Sequence, residues 1–390
     1  MKTVNDKLKV WATDLDERTM EQAHRTSRLP IVAGHVALMP DAHLGLGATV
    51  GSVVPTKGAI IPACVGVDIG CGMAAVLTDL TVEDLPGNLS PLLSQVGRAV
   101  PAGVGRGHKN ARPGPGDSQA ATWLETHKPR TVLDDRLASK AYEQLGTLGS
   151  GNHFAEVSVD ELDRVWVVLH SGSRGIGNIL AQSHITEAKS VAARLELSLE
   201  DPNLAYLLEN TPEFDHYVAD LRFAQAYARQ NRIMMLDAML AEVFTFVGKG
   251  RELDRVNAHH NYTEKERHFG KDIWVSRKGA ISARAGERGI IPGSMGTDTF
   301  IVVGRGNADS YSSSAHGAGR KMSRTQAKKE LSTDSLRAKM GDRTWLTKQA
   351  GSLVDEHPDA YKDINEVIRL SADLVDVEHR LEAVLNYKGV

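Results

Sequence analysis

Gly66-Val67-Asp68-Ile69-Gly70-Cys71-Gly72-Met73 sets a carboxylate and a thiol three residues apart, just after the apolar run Val65-Gly66-Val67, with glycine on both sides of the thiol. Read outward, the run is expected to be a buried strand ending at Asp68, so that Asp68 and Cys71 leave it on one turn and can reach a single cation. A free thiol is also among the residues most often used simply to fill a core, and two ligands do not hold an ion. The metal reading therefore depends on ligands elsewhere in the chain.

With 390 residues, 41% hydrophobic and 24% charged, the chain can bury a large core. Its start, Met1-Lys2-Thr3-Val4-Asn5-Asp6-Lys7, leads into charged sequence without the apolar core of a secretory signal, and no apolar run is long enough to cross a bilayer. A cytoplasmic protein with no membrane association is expected. Cys64 and Cys71 are the two cysteines, too few for a disulfide framework; both are expected to be reduced, with Cys64 in the core. A net charge of −3 excludes a protein that coats nucleic acid by global charge. Between Gly317 and Gln349, however, nine Lys and Arg face three acids, a basic segment that suits either a solvated helix face or a phosphate-bearing polymer.

The texture along the chain is α+β. Residues 31–80 alternate short apolar runs with Gly and Pro, and predict strands and turns; residues 100–130, rich in Gly, Pro, His and Lys, predict a lid or a long surface loop. From 179 to 246 the spacing of Ile233, Leu236, Leu240 and Val243 predicts helices, interrupted by Pro202 and Pro212. Strands are expected to resume over 279–303, and 322–386 is expected to be mostly helical. No repeat or linker is evident. The expectation is a single domain spanning 1–390, with a helical hairpin inserted at 179–246.

Further ligand candidates fall at glycine-rich junctions. Leu148-Gly149-Ser150-Gly151-Asn152-His153-Phe154-Ala155-Glu156 offers Asn152, His153 and Glu156; His170 ends the strand Val165–Leu169; His259-His260-Asn261 offers a third imidazole. A lone His is usually a satisfied core or surface residue. Several such loops, taken with Asp68 and Cys71, provide more ligands than one catalytic ion needs and suit a two-metal site, with the thiolate able to bridge. Three loops have the makings of phosphate cradles: Ser171-Gly172-Ser173-Arg174-Gly175, Pro292-Gly293-Ser294-Met295-Gly296-Thr297, and Ser312-Ser313-Ser314-Ala315-His316-Gly317-Ala318-Gly319-Arg320. Each is equally readable as a tight turn. Neither a P-loop nor a strand-linked dinucleotide fingerprint is present.

Taken together, Met39-Pro40-Asp41-Ala42-His43, Gly66–Gly72, Gly149–Phe154, His170–Gly175, His259-His260-Asn261-Tyr262, Pro292–Gly296, Ala315–Arg320 and the terminal Lys388-Gly389 resemble, in order, the signatures of RtcB-type RNA-splicing ligases. The resemblance runs from about residue 30 to the C-terminus and implies a single α+β unit, with mixed sheets around a central metal cleft. It implies ligation of an RNA 3′-phosphate or 2′,3′-cyclic phosphate to a 5′-hydroxyl, with GTP and two Mn²⁺ as cofactors. By this resemblance Cys71 bridges the two ions, His153 and His170 complete one site, and Asp68 and His260 the other. His316 is the nucleophile that takes GMP from GTP. Asn152, Arg174, Ser294, Gly317, Gly319 and Arg320 line the phosphate-binding loops, Lys388 lies near the α-phosphate, Glu156 reads guanine and Tyr361 stacks on it. An activating partner protein is compatible with this picture. Two rivals use fewer of these residues: a metal-dependent phosphoesterase needs neither His316 nor Glu156, and a silent RNA-end-binding module needs no complete ligand set.

Overall fold

Antiparallel pairing gathers the ligand-bearing strand ends at one rim. In the larger sheet the strands run in the order Glu252–His259, Gly72–Thr81, Arg164–Ser171, Phe154–Asp160, Val375–Lys388, Thr299–Gly304 and Arg288–Pro292, each antiparallel to its neighbours, with the short strand Thr344–Trp345 alongside Val375–Lys388. The end of one strand therefore meets the start of the next: His259 pairs with Gly72, Gly72 with Ser171, His170 with Phe154, and Phe154 with Lys388. Residues on five separate strands thus converge at one edge. A six-stranded sheet, ordered Lys2–Asn5, Leu8–Val10, Val36–His43, Val50–Thr56, Lys271–Lys278 and Asn261–His268, forms the facing wall. His260 is the single residue between the last strand of this wall and Glu252–His259 of the larger sheet. The computed structural model describes residues 1–103, 105–108 and 119–389, and the fold is a mixed α+β domain.

Two helices back the larger sheet. Thr211 caps the 36-residue helix Pro212–Val247 through its hydroxyl, which accepts Phe214 N–H at 3.3 Å; Pro212 occupies the first turn, where a missing N–H costs nothing, and Gly248 closes the far end at φ +82°. Leu236, Leu240 and Val243 pack with Met235 and Met239 against Ala74, Val76, Val167 and Leu169 of the sheet. Ser90–Ala99 is the second, through Leu92, Leu93 and Val96, and the helix Arg174–Arg194 packs on the long helix instead. The helical hairpin therefore begins at 174 rather than 179, and Pro212 starts a helix instead of interrupting one.

Three other expectations are corrected. Val65–Asp68 is not the end of a strand. A 3₁₀ turn at Pro62–Cys64 is followed by a turn in which Cys71 N–H donates to Asp68 O at 3.1 Å, and the strand begins only at Gly72. The reason is backbone sign: Gly66 and Gly70 sit at φ +91° and +73°, which no extended strand accommodates. Within 100–130, expected to be a lid or a long surface loop, Gln119–Thr126 is a helix, burying Ala121 and Leu124; residues 104 and 109–118 of that stretch lie outside the described residues. The region 322–386 is helical only in short pieces, Arg324–Glu330, Thr333–Met340, Ala350–Leu353 and Ile364–Leu370, and ends in the 14-residue strand Val375–Lys388. Its start, Val375-Asp376-Val377-Glu378, already carries the two-residue alternation of a strand, and pairing on both sides fixes it.

Candidate active site

The rim described above brings Asp68, Cys71, His153, His170 and His260 together. Cys71 Sγ lies 3.4 Å from His153 Nε2 and 3.3 Å from His170 Nε2, His153 Nε2 lies 3.1 Å from an Asp68 carboxylate oxygen, and His170 Nε2 lies 2.9 Å from His260 Nε2. Backbone carbonyls set the ring orientations: His153 Nδ1 donates to Leu148 O at 2.9 Å and His170 Nδ1 to Asn152 O at 3.2 Å, leaving each Nε2 with its lone pair aimed at Cys71. Burial, then the Asp68 carboxylate, push the Cys71 thiol far above its usual range, while burial depresses His170 and His260 far below theirs. Neutral imidazoles are ready ligands; the buried thiol needs a cation to ionise. Sulfur, nitrogen and oxygen donor atoms converging to 2.9–3.4 Å of one another are what a transition-metal site requires, so the donor set fits the metal. In these contacts Asp68 neighbours His153 and His260 neighbours His170. That differs from the pairing implied by the resemblance, because antiparallel register sets His170 beside the turn that carries His260.

Glycine permits the closest approach in this cluster. A Cβ on Gly172 would stand 2.2 Å from the Asp68 carboxylate, and Ser173 N–H donates to the same carboxylate at 3.2 Å. Behind the rim, two side chains of the long helix tie the loops down. Asn231 accepts from Gly146 and Thr147 N–H and donates to Thr147 O, Ser171 Oγ and Gly172 O, while fully buried Arg232 donates to Gly70 O at 2.8 Å and Ser171 O at 3.0 Å. No sequence signal identifies either one, since a polar pair inside a helix reads as solvated surface.

The opposite side of the cleft carries His316. Asp41, wholly buried in Val36–His43, accepts His316 Nδ1–H at 2.6 Å and the His316 backbone N–H at 3.0 Å through one carboxylate oxygen; Gly317 N–H reaches that oxygen at 3.3 Å. In the neutral ring this puts the proton on Nδ1 and the lone pair on Nε2. The His316 ring stacks on that of His260, centroids 4.6 Å apart at 29°. Asp41 lies in a stretch the sequence reading quoted, yet only the fold places it beside a residue 275 positions later.

A cavity of about 330 Å³ joins these groups. It is lined by Asp68, Cys71, His170, His260 and His316 at one end, and by Asn152, Glu156, Ser294, Gly317, Gly319, Arg320, Tyr361 and Lys388 toward the other. Arg174 is absent from the lining: its Nε donates to Thr147 Oγ1 at 3.0 Å, and its residue, at φ +58°, turns the chain into the helix behind the rim. Glu156 is buried beside Asn386, whose amide donates to it at 2.6 Å; burial pushes the Glu156 carboxyl up to about 7 despite that bond. Glu356, which the sequence reading did not single out, is the hub of the far end. Its carboxylate takes Lys388 Nζ at 2.9 Å, Tyr361 OH at 2.7 Å and Arg324, with Arg320 at 3.5 Å. Burial works against its ionisation, but Lys388 and Arg324 outweigh that and hold it at about 2. The Arg320 guanidinium also lies over the Tyr361 ring, 4.7 Å from its centroid.

Residues 22–389 match the family model described as tRNA-splicing ligase RtcB. The chain belongs to the RtcB family. Among curated RtcB proteins, the RNA-splicing ligase RtcB of Escherichia coli K12 is 44% identical, the alignment covering 99% of this chain and 98% of the relative. The tRNA-splicing ligase RtcB of Nanoarchaeum equitans is 30% identical over 95% of this chain and 92% of its own length. The RNA-splicing ligase RtcB of Mycobacterium tuberculosis is 29% identical, covering 90% and 95% respectively. RtcB membership accords with the α+β fold and with the metal-ligand cluster. No helix among the described residues is long and apolar enough to cross a membrane, and both cysteines are free and buried.

Proposed function

We propose that this RtcB-family chain is a GTP-dependent RNA ligase joining 3′-phosphate, or opened 2′,3′-cyclic phosphate, ends to 5′-hydroxyl ends. The observation that carries the reading is the Asp41–His316 dyad, held against the metal-ligand cluster in a cavity that also contains Glu156, Tyr361 and Lys388. A metal-dependent phosphoesterase does not require that dyad.

His316 Nε2, with Nδ1–H held by Asp41, attacks the α-phosphorus of GTP; the N–P bond forms, the P–O bond to the β-phosphate breaks, and pyrophosphate leaves. An oxygen of the RNA 3′-phosphate then attacks the same phosphorus, and the N–P bond breaks to return His316. The 5′-hydroxyl finally attacks the RNA 3′-phosphorus, losing its proton, and GMP departs. Cys71 would contact two Mn²⁺, with Asp68 and His153 on one and His170 and His260 on the other; when bound, the ions neutralise charge on the transferring phosphoryl groups. Lys388 and Arg320 are cations poised at the nucleotide end, while Asn152, Ser294, Gly317 and Gly319 supply the polar and backbone walls. Tyr361 offers its ring to the base. Glu156 and Asn386 Oδ1, which has no hydrogen-bond partner among the described residues, supply two acceptors for the N1–H and 2-amino donors of guanine.

Incubation with α-³²P-GTP and Mn²⁺ tests this directly. Covalent, acid-labile GMP on the protein, lost on adding RNA with a 3′-phosphate, is expected. Conversion of cyclic-phosphate RNA without any protein labelling would instead indicate a phosphoesterase, and labelling by ATP as strong as by GTP would refute the guanine assignment.

A further inference from the structure

We propose a second metal site, distinct from the active-site cluster, in which His184, His216 and Asp220 hold one Zn²⁺-class cation. The ligand atoms of the three lie within 4.8 Å of one another. His184 is on the helix Arg174–Arg194; His216 and Asp220 are one turn apart on Pro212–Val247 and so share a face. His184 Nε2 lies 2.8 Å and His216 Nε2 3.4 Å from the same Asp220 oxygen, Oδ2. These separations are close to the 2.9–3.4 Å found among the active-site ligands.

The hydrogen count argues for the cation. His184, only 1% exposed, has a carboxylate on each ring nitrogen: Glu187 Oε2 lies 3.2 Å from Nδ1 and Asp220 Oδ2 lies 2.8 Å from Nε2. A neutral imidazole carries one N–H and satisfies one of these contacts. With Nδ1–H donated to Glu187, Nε2 presents a lone pair to the Asp220 oxygen, and a cation between them resolves the clash. This is the carboxylate–histidine–metal arrangement common to protein metal sites. Asp220 is prepared for it, since Oδ1 accepts Arg130 N–H at 2.6 Å and Thr131 N–H at 3.0 Å, which fixes the carboxylate and aims Oδ2 at the histidines. Thr131 Oγ1 donates to Asp220 Oδ2 at 2.5 Å and lies 2.9 Å from His216 Nε2, so it braces the two ligands, and a water completes the coordination of the ion.

Two imidazoles and a carboxylate suit Zn²⁺ in tetrahedral geometry, and the Irving–Williams order puts Zn²⁺ well above Mn²⁺ at such a site. The His216 side chain, 34% exposed, leaves an entry path for the ion. The site joins two helices to the segment around Arg130 and Thr131, so its role is a structural clip rather than catalysis.

The test is zinc stoichiometry on the full-length chain, stripped with chelator, reloaded with Zn²⁺, desalted and analysed by mass spectrometry. His216→Ala and His184→Gln should each hold one equivalent fewer than the parent. Cys71→Ala should lose active-site metal yet keep the equivalent that His216→Ala loses. Equal zinc in the parent and His216→Ala overturns the proposal, and means that His184 is an imidazolium clasped by two carboxylates. Should either variant fail to melt cooperatively, anomalous diffraction at the zinc edge on crystals of the unaltered protein decides. A peak about 2.0–2.2 Å from both Nε2 atoms and Asp220 Oδ2 is expected, and a peak at the active site with none here rejects the site.

Discussion

The two ends of the cleft are built by opposite means. The metal end consists of short loops at a sheet rim, its geometry imposed by strand register and by backbone carbonyls that orient His153 and His170. The nucleotide end consists of long side chains from distant segments, drawn together by one buried carboxylate, Glu356. Rigid backbone positions ligands to within tenths of an ångström, which metals and in-line attack require; a charge hub positions flexible Lys, Arg and Tyr side chains without needing them to be neighbours in sequence. The first end should therefore fail abruptly when altered, and the second by degrees.

The largest effects are expected at the metal end, and two variants there should fail differently. Cys71→Ala should lose active-site metal and all GMP labelling. His316→Asn should keep its metal and bind GTP, form no covalent GMP, and still seal an RNA already carrying 3′-diphosphoguanosine, since that substrate bypasses the histidine. Labelling that survives in His316→Asn would move the nucleophile elsewhere. Next in size is Glu356→Gln. Lys388, Tyr361 and Arg324 lose their common anion, and labelling should fall about 10–100-fold, mostly as a raised KM for GTP, with metal content unchanged. An unaltered KM would break the contrast between the two ends.

A smaller effect concerns Glu156, whose ordinary value near 4.5 is raised to about 7 by burial. Between those values the folded chain holds a proton that the unfolded chain has released, so this contribution to stability is full below about 4.5 and is lost as pH rises through 7. Urea unfolding midpoints at pH 5 and pH 8 should show a smaller decline for Glu156→Gln than for the parent; identical declines would mean that the carboxyl is not protonated in the fold. Smallest is Cys64→Ala. Cys64 packs with Val54, Ile61 and Leu204, and its loss should cost about 1 kcal/mol of stability with no loss of metal.

The metal end was legible because thiol, imidazole and carboxylate next to glycine are unusual company, and each motif is only a few residues long. At the nucleotide end the lining residues Glu156, Arg320, Tyr361 and Lys388 were named through the resemblance, but the partners that hold them were not. Glu356 sits in a run of acids and a proline that reads as solvated surface, Asn386 in a strand mistaken for helix, and Asp41 announces no partnership with His316. Arg174 shows how far a loop motif reaches: a cation in a glycine loop suggested phosphate, and the fold sets its guanidinium outside the cavity lining, bonded to Thr147.

Composition and short motifs determined that this chain is an α+β protein with a mixed-ligand metal centre and a histidine in a glycine loop, since those properties depend on residue types within a few positions of each other. What the tertiary structure alone decided is pairing: which imidazole neighbours Asp68, which carboxylate orients His316, and which anion gathers Lys388, Arg324 and Tyr361. Pairing across tens to hundreds of residues is fixed by strand register and by the burial of charge, and neither is written in local spacing.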